Sequence, residues 1–127
     1  MPARYVIDKE RRLVISTGWD RVTCAEILAH RDQLTRDPDF DPDFNQLVDG
    51  RAVTALDITL DKANAIASRT PFSPQSRRAF VASDLMILGL VRLMETYAQR
   101  TEGREQVRVF HDLPAALQWL GLQAVSL

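Results

Sequence analysis

Apolar and polar residues alternate along this chain in a pattern that predicts strands interleaved with helices. Tyr5–Ile7 and Leu13–Ile15 are short apolar runs, and the segment Asp8–Arg12 between them is entirely charged. Two apolar, β-branched runs joined by a short polar segment are typical of a β-hairpin. We therefore expect the chain to begin with two antiparallel strands.

A capping-box spacing marks the start of the first predicted helix. Thr23 and Glu26 stand at the spacing that lets their side chains satisfy free amides at a helix N-terminus. The core-facing side of this helix is formed by Cys24, Ile27, Leu28 and Leu34. We expect the helix to end near Arg36, because Pro38 disfavours a helical conformation in the residue before it.

The remaining chain continues the alternation. The predicted elements are a short strand at Leu47–Val48, a helix beginning near Thr59, a loop at Thr70–Ser76, a strand at Arg78–Ala82, a helix from Ser83 or Asp84 to about Arg100, a strand at Gln106–Phe110 and a final helix after Asp112. The order β-β-α-β-α-β-α-β-α predicts an α/β protein with a mixed, mostly parallel five-stranded sheet and four helices. No linker interrupts the pattern, so residues 1–127 are expected to form a single domain.

Composition narrows the class of protein. The 127 residues are 46 % hydrophobic and 26 % charged, with a net charge of −1 and a pI of about 6.1, which disfavours a nucleic-acid-binding protein. The longest apolar stretch, Leu85–Val91, is far shorter than the roughly 20 residues that a transmembrane helix needs. Cys24 is the only cysteine, and the N-terminus shows no secretory signal. We expect a cytoplasmic protein without a transmembrane segment.

Acidic and nucleophilic residues form no recognised catalytic or metal motif in the sequence. Asp-Pro-Asp-Phe occurs twice in succession from Asp37 to Phe44, and its alternating carboxylates imitate part of a calcium loop. Such a loop needs glycine at its sixth position and glutamate at its twelfth, where this chain has Pro42 and Val48. We interpret the segment as a rigid acidic turn anchored by Phe40 and Phe44. No metal site or cofactor is predicted, and an enzyme stays open only as a third alternative.

The segment Asn45–Thr59 carries the most local chemical signal in the chain. An apolar run ends there in acidic turn chemistry, and a helix is predicted to follow. Asp49, Asp57 and Thr59 would then lie where a strand leads into a helix N-terminus, the usual position of recognition sites in α/β proteins. We expect these residues to form a recognition site, in which Thr59 is a good N-cap for the helix.

The predicted helix from Asp84 to Arg100 carries more apolar surface than one face of a sheet covers. Beside the stripe that faces the sheet lies a second one, made of Met86, Gly89, Leu90 and Leu93. Three explanations stay open for this surplus. The loop containing Phe72 covers it, two copies of the chain form a homodimer through it, or it contributes with Phe72 and Phe80 to a pocket for an apolar ligand.

The order of elements and the stretch Asp57–Leu60 resemble the STAS domain, the SpoIIAA-like family of anti-sigma-factor antagonists. In that family a strand and a short loop lead to an Asp-Ser-Ser-Gly motif, whose second Ser starts a helix and is phosphorylated by a partner kinase. Asp57 matches the Asp and Thr59 falls on the phosphorylated position, whereas Ile58 and Leu60 replace the first Ser and the Gly. The resemblance implies a non-enzymatic regulatory or protein-interaction domain that recognises its partner through the Asp49–Thr59 surface.

The chain also looks similar to uncharacterised bacterial STAS/SEC14-like proteins. This similarity rests on Asp39–Pro42 followed by Leu47–Asp49, and on Gly89-x-x-Arg92. SEC14-type relatives bind lipids in an apolar pocket. The second resemblance therefore implies a small apolar, lipid-like ligand as the alternative function.

Overall fold

The computed structural model describes residues 3–68, 70–102 and 106–122 of the chain. The elements are β1 (Ala3–Asp8), β2 (Leu13–Thr23), α1 (Cys24–Arg36), β3 (Asn45–Asp57), α2 (Leu60–Ser68), β4 (Arg78–Ala82), α3 (Leu85–Glu102), β5 (Val107–Phe110) and α4 (Leu113–Trp119). Their succession confirms the order predicted from the hydrophobic pattern. At the start of α1 both hydrogen bonds of the predicted capping box are present, between Thr23 and Glu26.

The five strands form one sheet in the order in which they follow along the chain. β1 and β2 pair antiparallel as the predicted hairpin, with Val6 opposite Ile15. The pairs β2–β3, β3–β4 and β4–β5 are all parallel. The mixed, mostly parallel sheet with an antiparallel edge is therefore confirmed.

β3 is much longer than its sequence pattern predicts. The short strand expected at Leu47–Val48 extends from Asn45 to Asp57, and it pairs with β2 along this whole length. Two register shifts interrupt the pairing, one between Asp49 and Ala52 and one between Val53 and Ala55. Each shift accommodates an extra residue of β3, so the ladder continues past a sequence that is typical of a turn.

The two bulges determine which side chains of β3 face the connecting helices. Simple alternation would place residues of odd and even number on opposite faces of the sheet. Each inserted residue changes this parity. As a result Val48, Gly50, Val53 and Leu56 all border the space beneath the helices.

Helices cover both faces of the sheet. α1, α2 and α3 lie on one face, as expected when successive parallel strands are joined by right-handed crossovers in one direction. The core on this side contains Val14, Leu34, Val53, Ile87 and Leu88. α4 covers the other face, where its Ala116, Leu117 and Leu120 pack against Leu47, Ala79 and Val81.

The double Asp-Pro-Asp-Phe segment forms the turn between α1 and β3. Asp37 Oδ1 accepts a hydrogen bond from the amide of Asp39, and Asp41 Oδ1 accepts one from the amide of Asp43. Phe44 is buried in the core. Phe40 packs against this core, and its ring makes an edge-to-face contact with the ring of Phe72. The segment is an acidic turn held by its two phenylalanines, as its sequence predicts.

Candidate functional site

A cavity of about 240 Å³ lies between the sheet and the three helices on its first face. The sheet contributes Ser16, Val22, Gln46, Val48, Gly50, Val53, Leu56, Arg78 and Phe80 to its wall. The helices contribute Ile27, His30, Arg31 and Leu34 from α1, Ala63 and Ile66 from α2, and Ile87, Val91 and Met94 from α3. Most of these side chains are apolar. The wall also includes Thr70, Pro71 and Phe72 from a loop, and Ala3, Thr17, Gly18 and Ile58.

Gly50 lets the Phe80 ring and the Val81 carbonyl oxygen approach β3 closely at the wall of the cavity. A Cβ atom at this position would lie 3.0 Å from the carbonyl oxygen of Val81 and 3.1 Å from Cε1 of Phe80. Such contacts are tighter than ordinary packing, so the strand accommodates glycine here and no larger residue without movement. Ala63 is the corresponding small residue on α2, and it is completely buried.

Most polar side chains of the wall lie at one end of the cavity. Gln46 and Arg78 are direct neighbours at the N-terminal ends of β3 and β4. Gln46 Nε2 donates to Ser16 Oγ at 3.0 Å, and Arg78 Nη1 donates to Thr70 Oγ1 at 2.8 Å. Arg31 reaches the same end from α1, where its Nη2 donates to the carbonyl oxygen of Ile66 at 2.6 Å, in the last turn of α2.

His30 borders the cavity from α1 and is held in its neutral form. Burial lowers the pKa of His30 below its ordinary value of 6.5, and a backbone hydrogen bond with Arg4 offsets part of this effect. Its ring packs edge-to-face on Tyr5, with ring centroids 5.4 Å apart. Nε2 is buried and makes no hydrogen bond to the described part of the chain.

Asp49 lies in the first half of β3, away from the start of α2. It is 7 % exposed and is paired with Arg51, two residues further along β3. The hydrogen bonds from the Arg51 side chain lower the pKa of the Asp49 carboxyl below its ordinary value, and burial opposes this shift. Eight positions of β3 separate Asp49 from Asp57, so the structure does not bring them together in one surface.

Asp57 and Thr59 lie together at the N-terminal end of α2, and both are exposed. Thr59 Oγ1 accepts a hydrogen bond from the amide of Lys62 at 3.2 Å, which is the geometry of an N-cap. Asp57 Oδ2 is 2.5 Å from Nη2 of Arg21 on the neighbouring strand β2. The Thr59 hydroxyl therefore lies next to an exposed pair of opposite charges.

The predicted aromatic residues of the ligand pocket both reach the cavity wall. Phe72 is buried between Phe40 and the guanidinium of Arg78, whose carbon lies 5.8 Å from the ring centroid. Phe80 projects from β4 on the same face. The loop with Phe72 thus forms part of the cavity wall and does not cover the outer surface of α3.

Among solved structures, the chain is similar to an uncharacterized protein of the DUF3478 family with a SpoIIAA-like fold, from Shewanella loihica PV-4. The match has a TM-score of 0.60 and covers 93 % of each chain at 15 % sequence identity. The chain has a SpoIIAA-like fold. No protein-family model and no curated protein matches it. This similarity confirms the SpoIIAA-like fold predicted from the element order. Because the sequence identity is only 15 %, the similarity shows a shared fold and does not show a shared activity.

The outer face of α3 carries strongly exposed apolar side chains in this SpoIIAA-like structure. Met86 is 86 % exposed and Leu93 is 58 % exposed, and nothing lies within 4 Å of the position that a Cβ of Gly89 would take. Leu90 is half-buried at the edge of this face. None of the four borders the cavity, and the homodimer contact stays a prediction.

Sequence reasoning did not bring Arg31 and Arg78 together in one polar wall of the SpoIIAA-like core, although the sequence carries a signal for it. Arg31 stands four residues after Ile27 and three before Leu34, so it lies on the core-facing stripe of α1. Arg78 stands two residues before Phe80 and shares its face of β4. A charged residue at a core-facing position of two separate elements indicates a polar group in the interior.

The described ranges 3–68, 70–102 and 106–122 contain no group of side chains that is arranged as a metal site. No three His, Cys, Asp or Glu side chains come together there in a group that could hold a metal ion. Of the helices in these ranges, none combines the length and the apolar character needed to cross a membrane.

Proposed function

We propose that this protein binds a small, mostly apolar molecule in the cavity between the sheet and helices α1 to α3. The observation that carries the proposal is the size of the cavity, about 240 Å³, together with its largely aliphatic wall. A cavity of about 150 Å³ lined by similar residues binds benzene. In proportion, this cavity holds a ligand of about ten non-hydrogen atoms.

The composition of the wall supports an apolar occupant. An ordered water needs several polar partners, whereas most of this wall is apolar. An apolar ligand therefore gains free energy by leaving water for this wall.

A small side chain in the wall also supports a binding site. Ala63 of α2 borders the cavity, whereas most positions around it carry larger aliphatic side chains. A core selected only for stability fills such space, since interiors are packed to the density of organic crystals. The arrangement fits a pocket that is formed before its ligand arrives.

Calorimetric titration with octan-1-ol, whose size matches the estimate above, tests this function. We expect the wild-type protein to bind it, and Val48→Phe to weaken binding about tenfold or more by filling the cavity with a ring. Val6→Phe is the matched control, because Val6 is 59 % exposed on β1 and lies outside the cavity. Absence of heat with the wild-type protein, or equal weakening by both variants, would contradict the proposal.

A second candidate function is recognition of a protein partner at the start of α2. It is supported by the SpoIIAA-like fold and by the exposed hydroxyl of Thr59 next to Asp57 and Arg21. A phosphate on Thr59 would lie at a helix N-terminus, where free amides and the helix dipole favour negative charge, while Asp57 would repel it. Asp49 lies eight positions before Asp57 on β3 and is paired with Arg51.

Phosphopeptide mapping of the chain isolated from its own cells tests the second candidate. A phosphate on Thr59 would support it, and a capture experiment then compares the wild-type chain with Thr59→Glu. Thr35→Glu is the matched control, since Thr35 is an exposed residue in the last turns of α1. If Thr59 is never phosphorylated and both variants capture the same proteins as the wild type, the recognition surface lies elsewhere or does not exist.

A further inference from the structure

We infer that the ligand of the cavity is an anionic amphiphile, with its charged group at the Arg31–Arg78 end and its apolar body along the opposite wall. The inference rests on the proposed ligand-binding function and adds the chemical class and the orientation of the ligand. The positions of the polar and charged side chains in the wall support it.

Strand register places the two arginines at one end of the cavity. Arg78 is the first residue of β4 and pairs with Gln46, near the start of β3. Parallel strands have their N-terminal ends at the same edge of a sheet, whereas α1 and α2 run back towards this edge from the other. Arg31 and Ile66 lie in the second halves of these helices, and their contact brings the Arg31 guanidinium to the same edge.

The charge of the wall favours an anion. Arg31 and Arg78 are the charged side chains among the described residues that border the cavity, and none of those residues is acidic. The carboxylate of Asp32, next to Arg31, interacts electrostatically with its guanidinium, but Asp32 is exposed and lies outside the wall.

A guanidinium is well suited to hold a carboxylate or a similar group. It presents five N–H donors in a fixed plane, and charge-assisted hydrogen bonds to an anion are roughly twice as strong as neutral ones. Gln46, Ser16 and Thr70 lie beside the arginines and supply further polar atoms. His30 adds no charge near neutral pH, since burial lowers its pKa below 6.5.

The opposite end of the cavity has the character that the body of an amphiphile needs. Val53 and Leu56 come from the C-terminal half of β3, Ile27 from the first turn of α1 and Ile87 from the first turn of α3. These residues lie at the edge of the sheet where the parallel strands end. An apolar chain along this wall is removed from water without burying a polar group.

Three probes of one chain length and different charge test the inference in calorimetric titrations: octanoate, octan-1-ol and octylammonium. For the wild-type protein near neutral pH we expect octanoate to bind at least about tenfold more tightly than octan-1-ol, because the carboxylate gains charge-assisted hydrogen bonds. Octylammonium is expected to bind most weakly.

A pair of neighbouring arginines supplies the matched variants. Arg78→Gln is expected to weaken the binding of octanoate about tenfold and to leave the affinity for octan-1-ol nearly unchanged. Arg77→Gln removes the same charge from an exposed neighbour whose guanidinium lies over Trp119, at the α4 side of the sheet. It is expected to leave both affinities unchanged.

The outcomes separate this inference from the proposed function. If octan-1-ol binds as tightly as octanoate, or if Arg77→Gln weakens octanoate as much as Arg78→Gln does, the anionic class is wrong and the apolar cavity remains a binding site. If neither probe binds, both are wrong. Should Arg78→Gln fail to fold, the order of the three probes on the wild-type protein decides the question alone.

Discussion

Arg51 holds the carboxylate of Asp49 through two hydrogen bonds of 2.9 Å, donated by Nε and Nη2. The two residues stand on either side of Gly50, where β3 bulges against β2. A third hydrogen bond joins the backbone amide of Arg51 to Asp49 Oδ1 at 3.2 Å. Asp49 is therefore a largely buried carboxylate that Arg51 holds at the bulge.

Asp49→Asn should lower the free energy of unfolding at pH 7 by about 1 to 3 kcal/mol, because it replaces a charged acceptor of several hydrogen bonds. The pKa of Asp49 is lowered in the folded chain, so its contribution is complete above the ordinary pKa of aspartic acid, near 4. The contribution is lost as the pH falls through the folded value. Urea unfolding at pH 7 and at about pH 3 should therefore show a difference from wild type that shrinks in acid.

Asp39→Asn is the control for this prediction, since Asp39 forms an exposed pair with Lys9 and should change stability by about 0 to 1 kcal/mol. A penalty for Asp49→Asn that is the same at both pH values would contradict the assignment of the effect to its ionised carboxylate.

Two glycine-to-alanine changes should have opposite effects on stability. Gly50→Ala should destabilise the protein, because its Cβ would lie 3.0 Å from the carbonyl oxygen of Val81. Gly89→Ala lies in α3 with open space around it, so it should stabilise by up to about 1 kcal/mol through helix propensity. The unfolding temperatures of both variants, compared with that of the wild type, test this prediction. A Gly50→Ala protein as stable as the wild type would contradict the close approach of β3 and β4 at Gly50.

His30 should titrate below 6.5, since burial disfavours its charged form. The unfolded chain then binds more protons than the folded one as the pH falls below this value, so stability should decrease with acidification in that range. A proton NMR titration measures the midpoint, and a His30→Gln variant assigns the resonance against that of His111. A midpoint at or above 6.5 would contradict the buried, neutral imidazole.

Thr59→Ala should cost about 1 kcal/mol of stability, because the amide of Lys62 loses its capping oxygen. Thr59→Asp should retain most of the stability, as aspartate is an equally good N-cap. Urea unfolding of the two variants separates the capping role from any binding role. Equal stability of Thr59→Ala and wild type would show that the hydroxyl is not needed as a cap.

Periodicity predicted the fold because the faces of strands and helices are a local property of the sequence. The capping box at Thr23 and Glu26 and the alternation around Val107 and Val109 needed no knowledge of distant residues. The length of β3 could not be predicted in this way. Gly50 is typical of a turn, and the pairing of Gly50 with Ala82 of β4 and the ladder with β2 keep the strand extended.

The candidate site was predicted less well, for a related reason. The apolar surplus of α3 was visible in the sequence, but Ile87 and Val91 border the cavity while Met86 and Leu93 face outwards. A cavity depends on which side chains are too small to meet across the space between elements. That depends on the spacing of helices and strands, which hydrophobic periodicity does not contain.

The most direct test of the central claim is a set of intermolecular NOEs between octanoate and the methyl groups of the protein. We predict contacts from the terminal methyl group of the ligand to Ile27, Val53 and Ile87, which border the apolar end of the cavity. Contacts restricted to Leu85 and Leu93, on the exposed face of α3, would contradict binding in the cavity.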